Sequence, residues 1–502
     1  MDFRLDNPPH HSNASGVMLA SAPILVALCA ALVCLLARGS VRRQQRLSIA
    51  GGVVLLLVSS ATLLAVVQSG PLHTAVGDWR APTGIDMRID SLSAIVIFVA
   101  SLIGLAALLW ASQDSKTCWQ PKNYHALHHF LMFGVVGALC TADLFNLYVW
   151  FEVMLIASFA LLTSHTDPDR RRSAVFYVVP SLLGSVCFLL GVALVYGNTG
   201  ALSFEAIGSA SGGGPSWQVA GALLCVAFLA KAGAFPLFLW LPRAYAAAPA
   251  AIGCVFAALL TKVGVYALYR SHGWFFASGQ DSSVLLAIAL FTMVAGVLGA
   301  AAQTEIRYIL SFHIVSQVGY MLLALALGTA QALAAGVFYL AHHIIVKGNL
   351  FLVAGAIRKV AGSTTLTALG GLVRSHPYLA LGFAVPALSL AGVPPLSGFW
   401  AKLLLLKAAL DAEFYFAAGV ALVVGLLTSY SMLKIWVAAF WGPVPKAFSG
   451  THRRFAWSLA APIALLALVT VSIGVWPNAL LSLSTGAVED LAPSLSNLGA
   501  AP

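Results

Sequence analysis

Long apolar runs separated by short polar connections dominate the pattern of this chain. A helix needs about 20 apolar residues to cross a bilayer, and fourteen runs reach or approach that length. The pattern therefore predicts an all-α integral membrane protein with about fourteen transmembrane helices. Their expected bounds are 17–37, 48–68, 89–111, 126–142, 144–164, 174–196, 218–241, 247–269, 284–302, 306–327, 332–357, 378–406 (broken), 414–441 and 456–476.

The seventh and twelfth runs carry a weak internal repeat. Residues 232–237 read Ala-Gly-Ala-Phe-Pro-Leu, residues 391–396 read Ala-Gly-Val-Pro-Pro-Leu, and a tryptophan follows each, Trp240 and Trp400. Proline breaks a helix by removing a backbone hydrogen bond. Broken helices in corresponding halves are typical of inverted repeats with an ion site near the midplane, although proline and glycine are also frequent in membrane helices for other reasons.

The expected organisation is a single membrane domain over residues 1–502. Within it we expect a first repeat at 126–269, a second at 284–441, and a tail at 477–502 that is too polar to span the membrane. The repeat bounds follow from the resemblance described below.

Composition supports a membrane protein and excludes several other classes. Hydrophobic residues make up 60% of the chain and charged residues 9%, whereas soluble domains have about 25% charged residues. The seven cysteines include no CxxC pair, so no zinc or iron–sulfur site is expected. No P-loop, dinucleotide-binding or hydrolase motif is found, so the residues indicate neither a cofactor nor an enzyme.

The positive residues give an orientation. If the helices alternate in direction, one set of loops holds seventeen lysines and arginines and the opposite set holds four. By the positive-inside rule, both termini lie outside the cytoplasm. The four are Arg4, Arg80, Arg88 and Arg270; the seventeen are Arg38, Arg42, Arg43, Arg46, Lys116, Lys122, Arg170, Arg171, Arg172, Arg243, Arg307, Arg358, Lys359, Arg374, Lys446, Arg453 and Arg454.

Several ionisable residues lie inside apolar runs, where a charge costs from about 2.5 kcal/mol upward. Glu152 has no acid within one turn of its own helix, so its partner must come from another part of the chain. It is a candidate proton carrier or the counter-charge of a lysine; the alternative is a neutral, hydrogen-bonded glutamate. Lys231 lies five residues before Pro236, where freed carbonyls can orient its ammonium. Lys262 lies mid-helix, one turn before Tyr266. For both lysines the alternative is a side chain that reaches the interface.

A second cluster follows in the eleventh and twelfth runs. His343 and Lys347 are four residues apart, share a helix face and form a possible relay with His342; a structural polar seam is the alternative. Lys402 follows the second break and resembles Lys231 in that respect. Four further residues are secondary candidates: Lys407, expected to reach the interface, Lys434, left open, and His313 and Asp143, possible access-channel residues.

Five segments together resemble a known superfamily: 145–155, 231–249, 261–266, 342–351 and 392–405. They are similar to the antiporter-like subunits shared by respiratory complex I, membrane-bound hydrogenases and Mrp-type multisubunit cation/proton antiporters. The segment Leu-Phe-Asn-Leu-Tyr-Val-Trp-Phe-Glu152, the segment Gly-Asp-Trp-Arg-Ala-Pro-Thr-Gly-Ile before the third helix, and the length look most like the D-type (MrpD-like) subunits of Mrp antiporters.

The resemblance implies inverted five-helix repeats, helices 4–8 and 9–13, and a pairing of Glu152 with Lys231. In some relatives the last site is a glutamate, whereas here it is Lys402. The implied proton-translocation residues are Glu152, Lys231, Lys262, His343, Lys347 and Lys402.

The implied function is proton translocation in a multisubunit Na⁺ or K⁺/proton antiporter driven by the proton motive force. The implied partners are the other membrane subunits (A-, B-, C-, E-, F- and G-like), H⁺, Na⁺ or K⁺, and the lipid of a bacterial inner membrane, without nucleic acid. A proton-pumping subunit of a redox complex and a scaffold that only assembles others are the alternatives.

Overall fold

The structure is mostly helical, as predicted. The computed structural model describes residues 14–75, 77, 79, 84–114, 123–163, 168–210, 214–275, 279–444 and 456–495. The first helices are α1 Ala14–Leu36, α2 Val41–Ser69, α3 Ser91–Asp114, α4 Tyr124–Cys140, α5 Leu144–Thr163, α6 Pro168–Thr199, α7 Phe204–Ser209, α8 Pro215–Ala232, α9 Trp240–Ala247, α10 Ala250–Val255 and α11 Thr261–Phe275. The others are α12 Gly279–Ala302, α13 Ile306–Leu327, α14 Ala330–Ala361, α15 Leu372–Ser375, α16 Pro377–Ala391, α17 Ser397–Asp411, α18 Tyr415–Trp436, α19 Trp457–Val475 and α20 Pro477–Leu495.

Apolar length decides which of these helices can cross a membrane. In the described part of the chain, twelve spans are long and apolar enough, and α4 and α16 are shorter apolar helices. Counted with these two, the helices correspond to the predicted runs, and the total of fourteen stays a prediction. The C-terminal helix α20 is not among the twelve spans.

Both predicted breaks are present. The seventh run divides into α8 and α9, and the twelfth divides into α16 and α17. At each break the upstream helix ends on a glycine in the left-handed region, Gly233 with φ 73° and Gly392 with φ 95°. Side chains other than glycine adopt this conformation at a cost, so the sequence sets where both helices stop.

Three features were not predicted. Strands β1 Leu72–Ala75 and β2 Asp86–Ile89 form an antiparallel hairpin before α3. The tail is helical over α20, which packs on α3, α11 and α14. The assignment of Arg270 to a loop is wrong, because α11 continues to Phe275 and buries this arginine.

Burial identifies α14 as the centre of the bundle. Every residue in the most apolar stretch of α14 is buried, whereas only 22% of the residues in that of α6 are buried. Groups in this part of α14 therefore lie inside the protein rather than against lipid. The corresponding stretches of α10–α11 and α13, with 100% and 94% of their residues buried, surround the same interior.

Two loop junctions have the same hydrogen-bond arrangement. Before α5, the amide of Leu144 donates to the carbonyl of Leu202 (2.8 Å). Before α13, the amide of Ile306 donates to the carbonyl of Thr364 (3.0 Å). Ile306 follows Leu144 by the same number of residues as Thr364 follows Leu202. The isolated bridges Asp143↔Ser203 and Glu305↔Thr365 lie beside these bonds.

Candidate functional site

The first group of site residues lies where α5, α6 and α8 meet. Glu152 on α5 accepts a hydrogen bond from the hydroxyl of Ser185 on α6. Lys231 in the last turn of α8 is 8% exposed, and its Nζ lies 5.7 Å from the centre of the Phe151 ring. A cavity of about 10 Å³ lies beside Ser185 and Lys231, close to the space that one water molecule needs.

Glu152 and Lys231 interact electrostatically but do not touch. Their charges act on each other, yet the ion pairs of the described residues, with N···O distances up to 4.0 Å, do not include these two. The pairing implied by the resemblance is therefore indirect in this structure. Ser185, which donates to Glu152 and lines the cavity with Lys231, links the two.

The carbonyl freed at the first break is used by a tryptophan rather than by Lys231. Nε1 of Trp240 donates to the carbonyl of Ala230 at 3.2 Å. Among the described residues, Lys231 has the Phe151 ring and the charge of Glu152 as its recorded partners. The side chain is thus held by weak, non-directional contacts, which leaves its ammonium free to reorient.

Lys262 lies at an irregular point of its helix. The chain forms a π-helical turn over Phe256–Leu260, and the buried Nζ of Lys262 donates to the carbonyl of Ala257 inside that turn. π turns release carbonyls from the regular ladder and are frequent at functional sites. Sequence patterns predicted the buried lysine but not the turn that supplies its acceptor.

His343 lies in the middle of a second group of charges. Both of its ring nitrogens are buried without a hydrogen-bond partner, and its ring interacts electrostatically with Lys262 and Lys347. Nζ of Lys347 donates to the carbonyl of Leu310 on α13 at 3.3 Å. His313 on α13, also without partners for its ring nitrogens, lies within range of Lys347 and Lys402.

Lys402 sits against the second break. Its Nζ donates to the carbonyl of Ala391 at 2.9 Å, at the end of α16, and lies 5.7 Å from the centre of the Tyr320 ring. A Cβ placed on Gly392 would lie 2.9 Å from Cδ of Lys402, so glycine makes room for the lysine as well as for the turn. Here the freed carbonyl does orient the ammonium, as expected at the sequence level for Lys231.

The predicted residues thus form two groups. Glu152 and Lys231 form one, and Lys262, His343, Lys347 and Lys402 form the other. Among the described side chains no direct contact joins Lys231 to Lys262. The groups meet through backbone: a Cβ on Gly264 would lie 2.6 Å from the amide nitrogen of Ala232, so α11 packs directly on the end of α8.

His342 has a different environment from His343. Its Nδ1 lies 2.8 Å from the hydroxyl of Ser397, which is 3.1 Å from the hydroxyl of Ser389. Ser389 and Ser397 lie on the two sides of the second break. His342 therefore fastens α14 to the broken helix, whereas His343 faces the lysines.

A buried ion pair two turns along α11 from Lys262 was missed by sequence reasoning. Arg270 on α11 donates two hydrogen bonds to the carboxylate of Asp90, one of them at 2.6 Å, and its Nε donates to the hydroxyl of Tyr266 at 2.9 Å. Asp90 is 0% exposed and also caps α3 by accepting from the amide of Ser93 at 3.1 Å. The signal was local: Tyr266 and Arg270 follow Lys262 at four-residue intervals, which places them on one helix face.

The hydrogen-bond partners of Lys434 indicate a structural role. Its Nζ donates to the carbonyls of Ala301 (2.9 Å) and Gln303 (2.8 Å), at the end of α12. The last carbonyls of a helix lack partners within it, and a cation there is favoured. Lys434 therefore caps α12 from α18.

We expect a Lys434→Met variant to lower stability rather than transport. It loses two hydrogen bonds to a charged group, worth roughly 1.5–3 kcal/mol each. The melting temperature of the purified complex should fall, while the transport rate per assembled complex should match wild type. Lys407→Met, at an exposed position, is the control. A transport loss at normal stability would place Lys434 on the ion path instead.

Asp143 acts as a helix cap at the junction before α5. One carboxylate oxygen accepts from the amide of Asn146 at 2.7 Å. Burial raises the pKa of the Asp143 carboxyl above its ordinary value, and the nearby Asp86 charge adds to this effect. Burial and the Glu205 charge raise the pKa of Asp86 likewise. Asp143 therefore caps the start of α5, and its role as an access-channel residue stays a prediction.

Comparisons with known proteins agree with this architecture. Residues 141–428 match the family model described as NADH:quinone oxidoreductase/Mrp antiporter, TM. The chain is 41% identical over 426 residues to the D-type subunit of the Na(+)/H(+) antiporter of Alkalihalophilus pseudofirmus, covering 84% of this chain and 86% of that protein.

Solved structures show the same fold. A chain of the Mrp complex from Dietzia sp. DQ12-45-1b superposes with a TM-score of 0.89 at 33% identity, over 96% of this chain and 100% of that one. A chain of the membrane-bound sulfane sulfur reductase, an archaeal respiratory membrane complex, gives a TM-score of 0.87 at 26% identity, over 96% and 99%.

Two broken membrane helices and a row of lysines inside the bundle, on a fold shared with these complexes, define an antiporter-like, multi-pass membrane subunit. The chain belongs to the NADH:quinone oxidoreductase/Mrp antiporter family, and within it to the D-type subunits of cation/proton antiporters.

Proposed function

We propose that this chain translocates protons in a multisubunit Na⁺ or K⁺/proton antiporter driven by the proton motive force. The observation that carries the proposal is the series Lys262, His343, Lys347 and Lys402, of which the first three are buried and Lys402 is half-buried. Its members are close enough to act on one another electrostatically. Ionisable residues buried in a membrane protein mark ion pathways. The relatives named as antiporter subunits support the same function.

Electrostatic coupling provides the mechanism. A proton that reaches Lys231 changes its attraction to Glu152. A cavity about the size of one water molecule lies beside Lys231 and Ser185, and Ser185 donates a hydrogen bond to Glu152. Within the second group, a like charge nearby disfavours the charged form of each lysine. Protonation of Lys262 therefore favours proton release from Lys347, and protonation of Lys347 favours release from Lys402.

The metal cation takes a different route in this proposal. Na⁺ and similar hard cations require oxygen ligands, whereas the row described above consists of nitrogen groups. Other membrane subunits, A-, B-, C-, E-, F- and G-like, complete the antiporter. The bacterial antiporter relatives support a place in a bacterial inner membrane, and the distribution of positive residues supports an orientation with both termini on the non-cytoplasmic side.

We also propose that the site lies in two inverted repeats, 126–269 and 284–441. The matched junctions before α5 and α13 support this division, because they share hydrogen bonds at one constant offset. The glycine-terminated breaks Gly233 and Gly392 lie in corresponding helices. Inverted repeats of this kind place ion sites at the midplane.

Everted vesicles test the proposal directly. A host without its own antiporters expresses the whole set of subunits, and respiration establishes a pH gradient. We expect added Na⁺ or K⁺ to dissipate the gradient only in vesicles that contain the complex. A gradient that stays unchanged with both cations would contradict the antiporter function.

Proteoliposomes that contain the purified complex test the redox alternative. This test is included because one structurally similar protein, the membrane-bound sulfane sulfur reductase, is a respiratory complex. If NADH or another reductant builds a gradient through the purified and reconstituted complex, and cations have no effect, the chain pumps protons for a redox partner instead.

A further inference from the structure

Three histidines form a cluster on α4, far in sequence from the lysine series. His125, His128 and His129 occupy the first two turns and are 1%, 2% and 1% exposed. Their spacing places them on adjoining parts of one helix face, and the rings of His128 and His129 are 5.5 Å apart between centres. We call these three residues the histidine cluster.

The cluster is only partly satisfied by hydrogen bonds. Nε2 of His129 lies 3.0 Å from the hydroxyl of Ser48 on α2 and 3.1 Å from its carbonyl. His128 bonds the backbone of Gly104 on α3. Both nitrogens of His125 and Nδ1 of His129 are buried without a partner. Unsatisfied buried polar groups are costly, at about 1–3 kcal/mol each, so a purely structural role does not account for them.

The helix facing the cluster has its polar side turned inward. The apolar residues Val53, Leu57 and Leu64 of α2 are exposed, whereas its buried face carries four polar side chains together with Gly52, Leu55 and Val66. Ser59, farther along, shares a hydrogen bond of 2.7 Å with Ser101 of α3. We call this row the α2 seam, and its polar members are Gln44, Ser48, Ser59 and Thr62.

The histidine cluster is separate from the lysine series. Helix α3 lies between them: Gly104 faces His128, while the neighbouring Ile103 lies 2.5 Å from a Cβ placed on Gly348 of α14. The charges that act on His125 and His128 are those of the other histidines of the cluster, and among the described residues no lysine acts on any of the three rings. The lysine mechanism therefore does not use this cluster.

We infer that the histidine cluster and Ser48 form a second protonatable site, through which protons pass between the membrane face at the start of α4 and the α2 seam. Imidazole accepts a proton on one nitrogen and releases one from the other, and the Ser48 hydroxyl both donates and accepts. The inference rests on the proposed proton transport of the subunit but on none of its lysines.

The surroundings fit a relay rather than a stable charged site. Among the described side chains facing the cluster, the titratable groups are the phenol of Tyr124 on α4 and the thiol of Cys34 on α1, which lies beside Ser48. Within the described ranges, helices α2, α3 and α5 bring no recorded carboxylate or ammonium to the rings. A proton held here has no counter-charge, so it is passed on.

A glutamine substitution separates titration from packing. In the assembled complex, His128→Gln/His129→Gln keeps hydrogen-bonding groups but cannot titrate. The pH dependence of cation-driven gradient loss is measured in everted vesicles and normalised to complex recovered by co-purification. His272→Gln is the control, because His272 is also buried but bonds the carbonyl of Leu325 on α13.

We expect the double variant to lose transport on the order of 10²-fold, as for a positioned proton-transfer group, and to shift the midpoint of the pH–rate profile. The control should keep the wild-type midpoint. A wild-type profile, or a uniform fall in rate with an unchanged midpoint, overturns the inference. If wild type itself shows no antiport, the proposed function fails instead.

Ser48→Ala provides the test if the double variant does not assemble. This change removes one hydroxyl and should shift the same midpoint with a smaller fall in rate. An unchanged profile in assembled Ser48→Ala complex overturns the inference.

Discussion

A Lys231→Ala variant is expected to assemble normally and to transport almost no protons. Lys231 ends α8 with a ring contact and the charge of Glu152 as its recorded partners among the described residues, so few structural contacts are lost. The proposed route loses its first lysine. Cation-driven loss of a pH gradient, normalised to the recovered complex, measures the effect, and we expect a fall of at least about 10²-fold.

The link between Glu152 and Lys231 makes a second change informative. Glu152→Gln alone should also reduce transport, because Lys231 then lacks its counter-charge. The double variant should be little worse than either single variant, with a coupling of about 0.5–3 kcal/mol. Ser185→Ala should show part of the same coupling, since its hydroxyl is the observed connection to Glu152.

Lys407→Ala is the matched control for this series. Lys407 lies on α17, five residues after Lys402, but it is exposed. It should transport like wild type. Additive defects of Glu152→Gln and Lys231→Ala, or an equal defect in Lys407→Ala, would contradict an electrostatic link between the first two residues.

The helices and their breaks were predictable because their signals are local. Adjacent residues alone are enough to recognise an apolar run of about 20 residues or a glycine followed shortly by a proline. The facing positions of His343 and Lys347 follow from helix periodicity in the same way. Lysines inside such runs stand out because burying them is costly.

Partners across helices were not predictable from one sequence. Ser185 reaches Glu152 only because α5 and α6 pack together, and no sequence pattern joins them. Arg270 was misassigned because an arginine at the end of an apolar run resembles a loop residue. The four-residue spacing from Lys262 and Tyr266 could have placed Arg270 on the helix, but its partner Asp90, 180 residues away, could be identified only from the packing.

Short and amphipathic elements were missed for another reason. Strands β1 and β2 have four residues each, too few to show a two-residue period. Helix α20 is too polar to count as a span and was therefore expected only as a tail. A search for apolar segments that span the membrane does not detect a helix such as α20, which packs on α3, α11 and α14.

The second large effect is expected from Arg270→Met. Asp90 is 0% exposed. This change removes the arginine that donates two hydrogen bonds to its carboxylate. Breaking a buried ion pair by removing one member costs about 3–5 kcal/mol. Arg88 lies 3.7 Å from Asp90 but is partly exposed, so it offsets little. The melting temperature of the purified complex should fall steeply.

Arg307→Met is the control for that measurement. Arg307 pairs with Glu305 at 3.0 Å, with side chains 18% and 20% exposed. Glu305 keeps hydrogen bonds from Thr364 and the amide of Tyr308 when Arg307 is removed, so the loss of stability should be smaller. A fall in melting temperature no larger for Arg270→Met than for Arg307→Met would contradict a stabilising role of the buried pair.

The double variant Asp90→Asn/Arg270→Met separates stability from transport. Removing both charges should recover part of the stability, because no uncompensated charge remains buried. Transport should stay low, since Tyr266 has then lost the Nε donor of Arg270 and lies only one turn from Lys262. Recovery of both stability and transport would instead show that the pair holds the fold without acting on the lysine series.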